Sequence, residues 1–315
     1  MALALAVALS LAFSGATRAD LSAAALSNAP LVPAWLRNLR FAVDITAEEV
    51  TWQRTTVRDF RAQFDMVDAH LTIRADSPEV AGGRLRVELA HGPDGAGRLH
   101  IQGTSLALGA LAPFEAYVNA TPMTLDVTLD GIGTSARALA HSAQGSIGFH
   151  STGPGTIEKT VERVSGSLLS SVFRAFSPLR SADETTAIEC FRVHLPIAQG
   201  RAEGPLLAEL WTQRMRIQGG GRIDFGRATI DLIFTPHARR GLQIRGLNAV
   251  HAVVVGGTFD EPTVDIDSGR LFSRAAALGT AVATAGGTTV VDTFNARRES
   301  RRLPCGDVAA VATQR

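Results

Sequence analysis

The sequence has little charge imbalance, few aromatic rings and hardly any cysteine, and each shortage closes off a class of function. Its 31 basic and 30 acidic side chains leave a net charge of +1, so no long-range field draws in nucleic acid. Phe, Trp and Tyr make up 6% of the 315 residues. That is too few to stack successive bases of a single strand, or to build the aromatic girdles of a membrane-spanning barrel. The two cysteines, Cys190 and Cys305, have no CxxC spacing, which argues against zinc and thioredoxin-type chemistry. In an exported chain they can close a disulfide between the C-terminal tail and the body; the alternative is two buried thiols.

Local catalytic patterns are missing as well. The eight histidines show no HxH, HExxH or HxxxH spacing, so the sequence proposes no metal site. Asp260, Glu261, Asp265 and Asp267 lack the central glycine and terminal glutamate of a calcium loop. Gly131-Ile-Gly133 has neither the third glycine of a dinucleotide fingerprint nor a following Gly-Lys-Ser/Thr. It reads as the turn between a strand and a helix. No nucleophile elbow occurs, and Cys190 has no sequence-local activating partner. The expectation is a protein without catalytic residues, metal or cofactor.

What the chain has is glycine, 30 residues of it, and a 45% apolar fraction. Apolar side chains fall at every second position in Phe41–Ile45, Leu71–Ile73, Leu85–Leu89 and Leu99–Ile101. The pattern returns in Leu125–Leu129, Met215–Ile217, Ile223–Phe225, Ile230–Phe234 and Val264–Ile266. Period-two alternation is the mark of a strand with one buried face. Gly82-Gly83, Gly92-Pro-Asp-Gly95, Gly219-Gly-Gly221 and Gly256-Gly257 supply turn chemistry between them. The fold expected is mainly β, an antiparallel meander with a few short helices. Gly219–Gly221 reads as a hairpin or a bulge. A short helix is expected over Ser135–Ser142, behind a Thr134 or Ser135 cap. An amphipathic one is expected over Ile157–Phe176, ended by Pro178.

The order of the segments from Met123 to Ile266 resembles the C-terminal region of the AsmA family. It runs through Met123-Thr-Leu-Asp-Val-Thr-Leu-Asp130, Gly131-Ile-Gly133, Gly145-Ser-Ile-Gly148, Glu189-Cys190, Ile197-Ala-Gln-Gly200, Met215–Asp224 and Val253–Pro262. These are bacterial envelope proteins implicated in lipid movement and outer-membrane assembly. The resemblance divides the chain into four parts. Residues 1–19 are a signal peptide or membrane-anchor remnant, and 20–122 hold the last upstream β repeats. Residues 123–270 form the AsmA-like region, and 271–315 a helical or irregular tail. The start, apolar through Phe13 with Thr17-Arg18-Ala19 ahead of Asp20, suits cleavage after Ala19. Periplasmic location follows, with an inner-membrane anchor as the alternative. Leu303-Pro-Cys305 looks like the cysteine that many members carry near their ends.

The resemblance implies an elongated, curved antiparallel sheet forming an open, taco-like groove. Such a groove binds or conducts phospholipid between the inner and outer membranes without covalent chemistry. The candidate lining residues are Leu125, Val127, Leu129, Ile217, Ile230, Leu232, Val253 and Val255; the alternative for each is an ordinary sandwich core. A second function stands beside the first, that of a periplasmic assembly factor acting on outer-membrane protein insertion through protein contacts.

Overall fold

The computed structural model describes residues 28–52, 55–107, 118–119, 122–151, 155–157, 186–213, 215–238, 252–259 and 261–267. Among the described residues, fifteen strands belong to one sheet. They are β1 (Phe41–Trp52), β2 (Thr55–Val67), β3 (His70–Val80), β4 (Gly83–His91), β5 (Ala96–Ala107), β6 (Val118–Asn119), β7 (Pro122–Ile132), β8 (Gln144–Ser151), β9 (Gly155–Ile157), β10 (Thr186–Ala198), β11 (Arg201–Thr212), β12 (Met215–Asp224), β13 (Thr229–Ala238), β14 (Ala252–Gly257) and β15 (Pro262–Asp267). Thirteen of them follow one another in chain order from β1 to β15, while β6 and β9 pair to the side, next to β10. Every pairing is antiparallel, and within the described residues β1 and β15 do not meet, so the sheet stays open. The sheet runs without a break across residue 122, because β5 pairs directly with β7.

Local chemistry explains the meander. Three tight connections place two successive residues at positive φ: Asp68-Ala69, Ala81-Gly82 and Gln199-Gly200. That geometry matches the right-handed twist of paired strands. β10 and β11 carry residues that would normally break a central strand, Pro196 and Gly204-Pro205. Both prolines lie where the pairing slips, between Val193 and Ile197 and between Gly204 and Ala208. At such a bulge the missing N–H costs no ladder bond.

One helix, α1 (Ala136–Ser142), interrupts the described strands. Ser135 caps it, its Oγ accepting the Ala138 N–H at 3.2 Å. Ser142 Oγ accepts the Ile132 N–H at 2.7 Å and ties the helix end back to β7. Of the second expected helix, Ile157 ends strand β9 instead, and 158–176 lie outside the described residues. So do 1–27 and 268–315, including the expected leader, the tail and Cys305. Gly219–Gly221 is not a hairpin: all three sit inside β12, opposite the slipped stretch of β11. The glycines are required by close neighbours, since a Cβ on Gly219 would lie 2.5 Å from the Phe234 ring.

The seat of α1 shows how far the sheet curls. A Cβ on Gly97 of β5 would lie 2.8 Å from the Leu139 side chain. On Gly226, just after β12, it would run into the His141 ring. In the order β5-β7-β8-β10-β11-β12 these strands are five spacings apart, about 24 Å on a flat sheet at about 4.8 Å per spacing. A helix of seven residues is only about 10 Å long. Both strands reach it because the sheet rolls around it. A crease helps the bend. Pairing slips occur at Ser77–Val80, Gly103–Leu106 and Gly204–Ala208, all on neighbouring cross-strand rows. Bulges bend strands and increase their twist.

Candidate functional site

The pairing register builds one apolar face across the molecule. In one row Val43 lies opposite Phe64, then come Ile73, Leu89, Leu99 and Leu129. The same row continues through Gly145, Ile197, Ala202, Ile223 and Ile230, eleven strands in all. The next row begins Ile45, Ala62, Ala75, Val87, Ile101, Val127 and goes on to Ile147 and Leu195. No charged side chain interrupts either row. Strand alternation alone gives each strand an apolar face; the in-step register fuses those faces into a trough.

The opposite face is polar and laced with ion pairs. Arg98 Nε donates to Asp130 at 2.8 Å, and Arg58 reaches Glu79 at 2.6 Å and Glu49 at 3.4 Å. Hydrogen bonding to Glu79 raises the Arg58 pKa further. Arg222 grips Glu203 with two bonds, 3.0 and 2.9 Å, which holds that carboxyl below its ordinary range. A shallow depression on this face is lined by Thr72, Arg74, Glu88, Arg98, His100 and Thr128. Its two arginines are engaged with Asp65 and Asp130. Around β10–β12 the polar face is itself covered. Glu209 is buried with Arg216 at 2.5 Å and Arg192 at 3.6 Å, and the Arg216 guanidinium lies 5.0 Å from the Trp211 ring centre. Beside Trp211 sits Cys190, buried and disulfide-bonded; Cys305, the chain's other cysteine, lies outside the described residues.

One end of the trough is plugged. The α1 helix fills it, with Gly133 so close that an added Cβ would lie 2.5 Å from the Ala138 Cβ. His91 is buried there, its Nε2 2.8 Å from the Gly133 carbonyl oxygen. Leu31 N–H donates to the Thr134 carbonyl at 2.8 Å and brings the buried Val32 against the same end.

All eight residues singled out from the sequence lie on the apolar face. Val127 and Leu129 belong to the central cluster, with Leu125 and Leu232 packed against it. Ile217, Val253 and Val255 form a second cluster with Ile230 and Leu232. Val127 is 4% exposed and Val255 not at all, as dry as any protein core. The face opens at the other flank, on β1. Val43 is 45% exposed and Ile45 36%, although both stand in the rows just traced. Sequence reasoning missed this lip, because Phe41–Ile45 alternates just as the central strands do. No sequence signal marks which apolar face ends at water.

Among the described residues there is no cluster of three or more His, Cys, Asp or Glu able to hold a metal ion. Likewise, no described helix is long and apolar enough to cross a membrane. The chain matches no family model, no curated protein and no solved structure.

Proposed function

We propose that this protein is an AsmA-like envelope component that holds phospholipid acyl chains against the apolar face of its curled sheet. The observation that carries the reading is the uninterrupted apolar row from the exposed Val43 to Leu129 and on to Ile230. Exposed apolar rows at β1 give a chain a place to enter. The rows beyond are packed into the core and give that lip a rigid apolar backing, and each methylene removed from water at the lip contributes about 0.8 kcal/mol. Strand β1 has twelve residues, so it spans about 40 Å at about 3.4 Å per residue. The hydrocarbon core of a bilayer is about 30 Å thick, so an acyl chain can lie along the strand at full length. Headgroups would remain at the open lip. Movement would be sliding, with no covalent step and no cofactor, in a periplasmic or inner-membrane-anchored setting.

Native mass spectrometry of the full chain purified from envelope fractions, with lipid extraction alongside, tests this. The wild type is expected to carry phospholipid. Val43→Asp combined with Ile45→Asp should remove most of it while circular dichroism and thermal midpoint stay close to wild type. A folded, lipid-free wild type would overturn the reading. Equal lipid content in the double variant would do the same.

A further inference from the structure

The two edges of the sheet are built differently. β15 is six residues long and opens with Pro262, two devices that blunt an edge against further pairing. β1 has twelve residues with no proline and no glycine, and among the described residues it pairs with β2 alone. Every second N–H and C=O of β1 therefore points away from the sheet. The segment leading into it leaves Trp35 and Leu39 exposed, and Val43 and Ile45 stand open on the apolar face.

Charge says what could pair there. On the polar face of β1, Asp44 and Glu48 are exposed and make no ion pair among the described residues, unlike Glu49, which Arg58 engages. The chain's own second edge is a poor partner, because β15 presents the exposed Asp265 on its polar face. A β1-to-β1 contact would likewise set acid against acid. Like charges directly opposite one another across strands are unfavourable, and opposite ones are favourable.

We propose that the free edge of β1 takes up a strand from a different protein, one in which apolar residues alternate with Lys or Arg. Its basic side chains lie against Asp44 and Glu48, and its apolar side chains continue the rows of Val43 and Ile45. The added strand widens the apolar face by one strand while the backbone supplies the affinity. Edge pairing needs no lipid, so its failure would leave the lipid reading standing, and Asp44→Lys with Glu48→Lys, which keeps Val43 and Ile45 in place, should change the peptide preference without removing lipid.

The test uses the full chain and two synthetic peptides of about nine residues, an ordinary strand length. One alternates Val with Lys and the other Val with Glu. Binding is read by fluorescence anisotropy and by hydrogen exchange of the β1 amides. The basic peptide should bind and slow exchange in β1, and the acidic peptide should bind about ten-fold more weakly, given two cross-strand charge pairs reversed in sign. Asp44→Lys with Glu48→Lys should invert that preference. Absence of β1 protection by the basic peptide would overturn the proposal, as would a preference that the double variant leaves unchanged. So would β1 amides that exchange as slowly as those of β4 before any peptide is added, since the edge would then be occupied by this chain itself.

Discussion

The two faces of this sheet share the same strands, the same ladder and the same alternation, yet they are stabilised in opposite ways. On the apolar face Val127 packs among Ile101, Ile147 and their neighbours and is cut off from water. Directly behind it, Asp126 and Thr128 are exposed, and Asp130 beyond them pairs with Arg98 in solvent. Burial of apolar area is strong and non-directional, whereas exposed ion pairs contribute little. Over β1–β8 the fold is therefore held mainly from one side, and only around β10–β12, where Cys190, Glu209 and Trp211 are buried, does the polar face add burial of its own.

Four substitutions put the difference between the faces to the test. The largest effect is expected from Val127→Asp, which places an unpartnered charge on the dry face and should cost about 3–5 kcal/mol. Urea unfolding would register it as a large drop in midpoint; an unchanged midpoint would mean that the face is wet. Gly133→Ala comes next. An added methyl would press on the backbone of Ala138 and Leu139, and overpacking of this kind costs about 1–3 kcal/mol. The loss should be accompanied by faster hydrogen exchange in α1.

Asp224 tests the polar face where it is partly covered. Burial pushes its carboxyl up, but the Arg227 N–H at 2.8 Å and Arg201 Nε at 3.0 Å outweigh that and hold it below the ordinary range. A carboxylate whose folded value is depressed stabilises the fold above its unfolded value, near pH 4, and loses that contribution as pH falls through the folded value. Asp224→Asn should cost about 1–2 kcal/mol at neutral pH, with the gap to wild type closing as the pH is taken below about 4. A gap that persists in acid would assign the loss to packing instead. The smallest effect belongs to Arg98→Gln, whose exposed pair with Asp130 should leave the thermal midpoint unchanged. A clear drop there would show that the polar face carries more of the stability than its exposure suggests.

Much of the fold was legible. Alternation marked β1, β3, β4, β5, β7, β12, β13 and β15, and the small residues after Asp130 marked the passage into α1, though only the structure chose Ser135 over Thr134 as its cap. β10 and β11 were illegible because Pro196 and Gly204-Pro205 break the pattern. Whether a proline is tolerated depends on the bulge it occupies, which only the neighbouring strands define. The candidate residues were legible as one face of their strands, from Leu125 to Val255. That Val43 and Ile45 form an open lip was not.

Which side of each strand is apolar is written in the order of its residues, because side chains alternate along an extended backbone with period two. The same order marked some of the turns, at Gly82 and Gly95, through glycines at positive φ, but not those at Asp68-Ala69 and Gln199-Gly200. That these faces align into one row, that the row curls around α1 and that it ends exposed at β1 arises in the assembled sheet. Those features depend on register, twist and bulges shared between strands far apart in the chain, and no single segment encodes them.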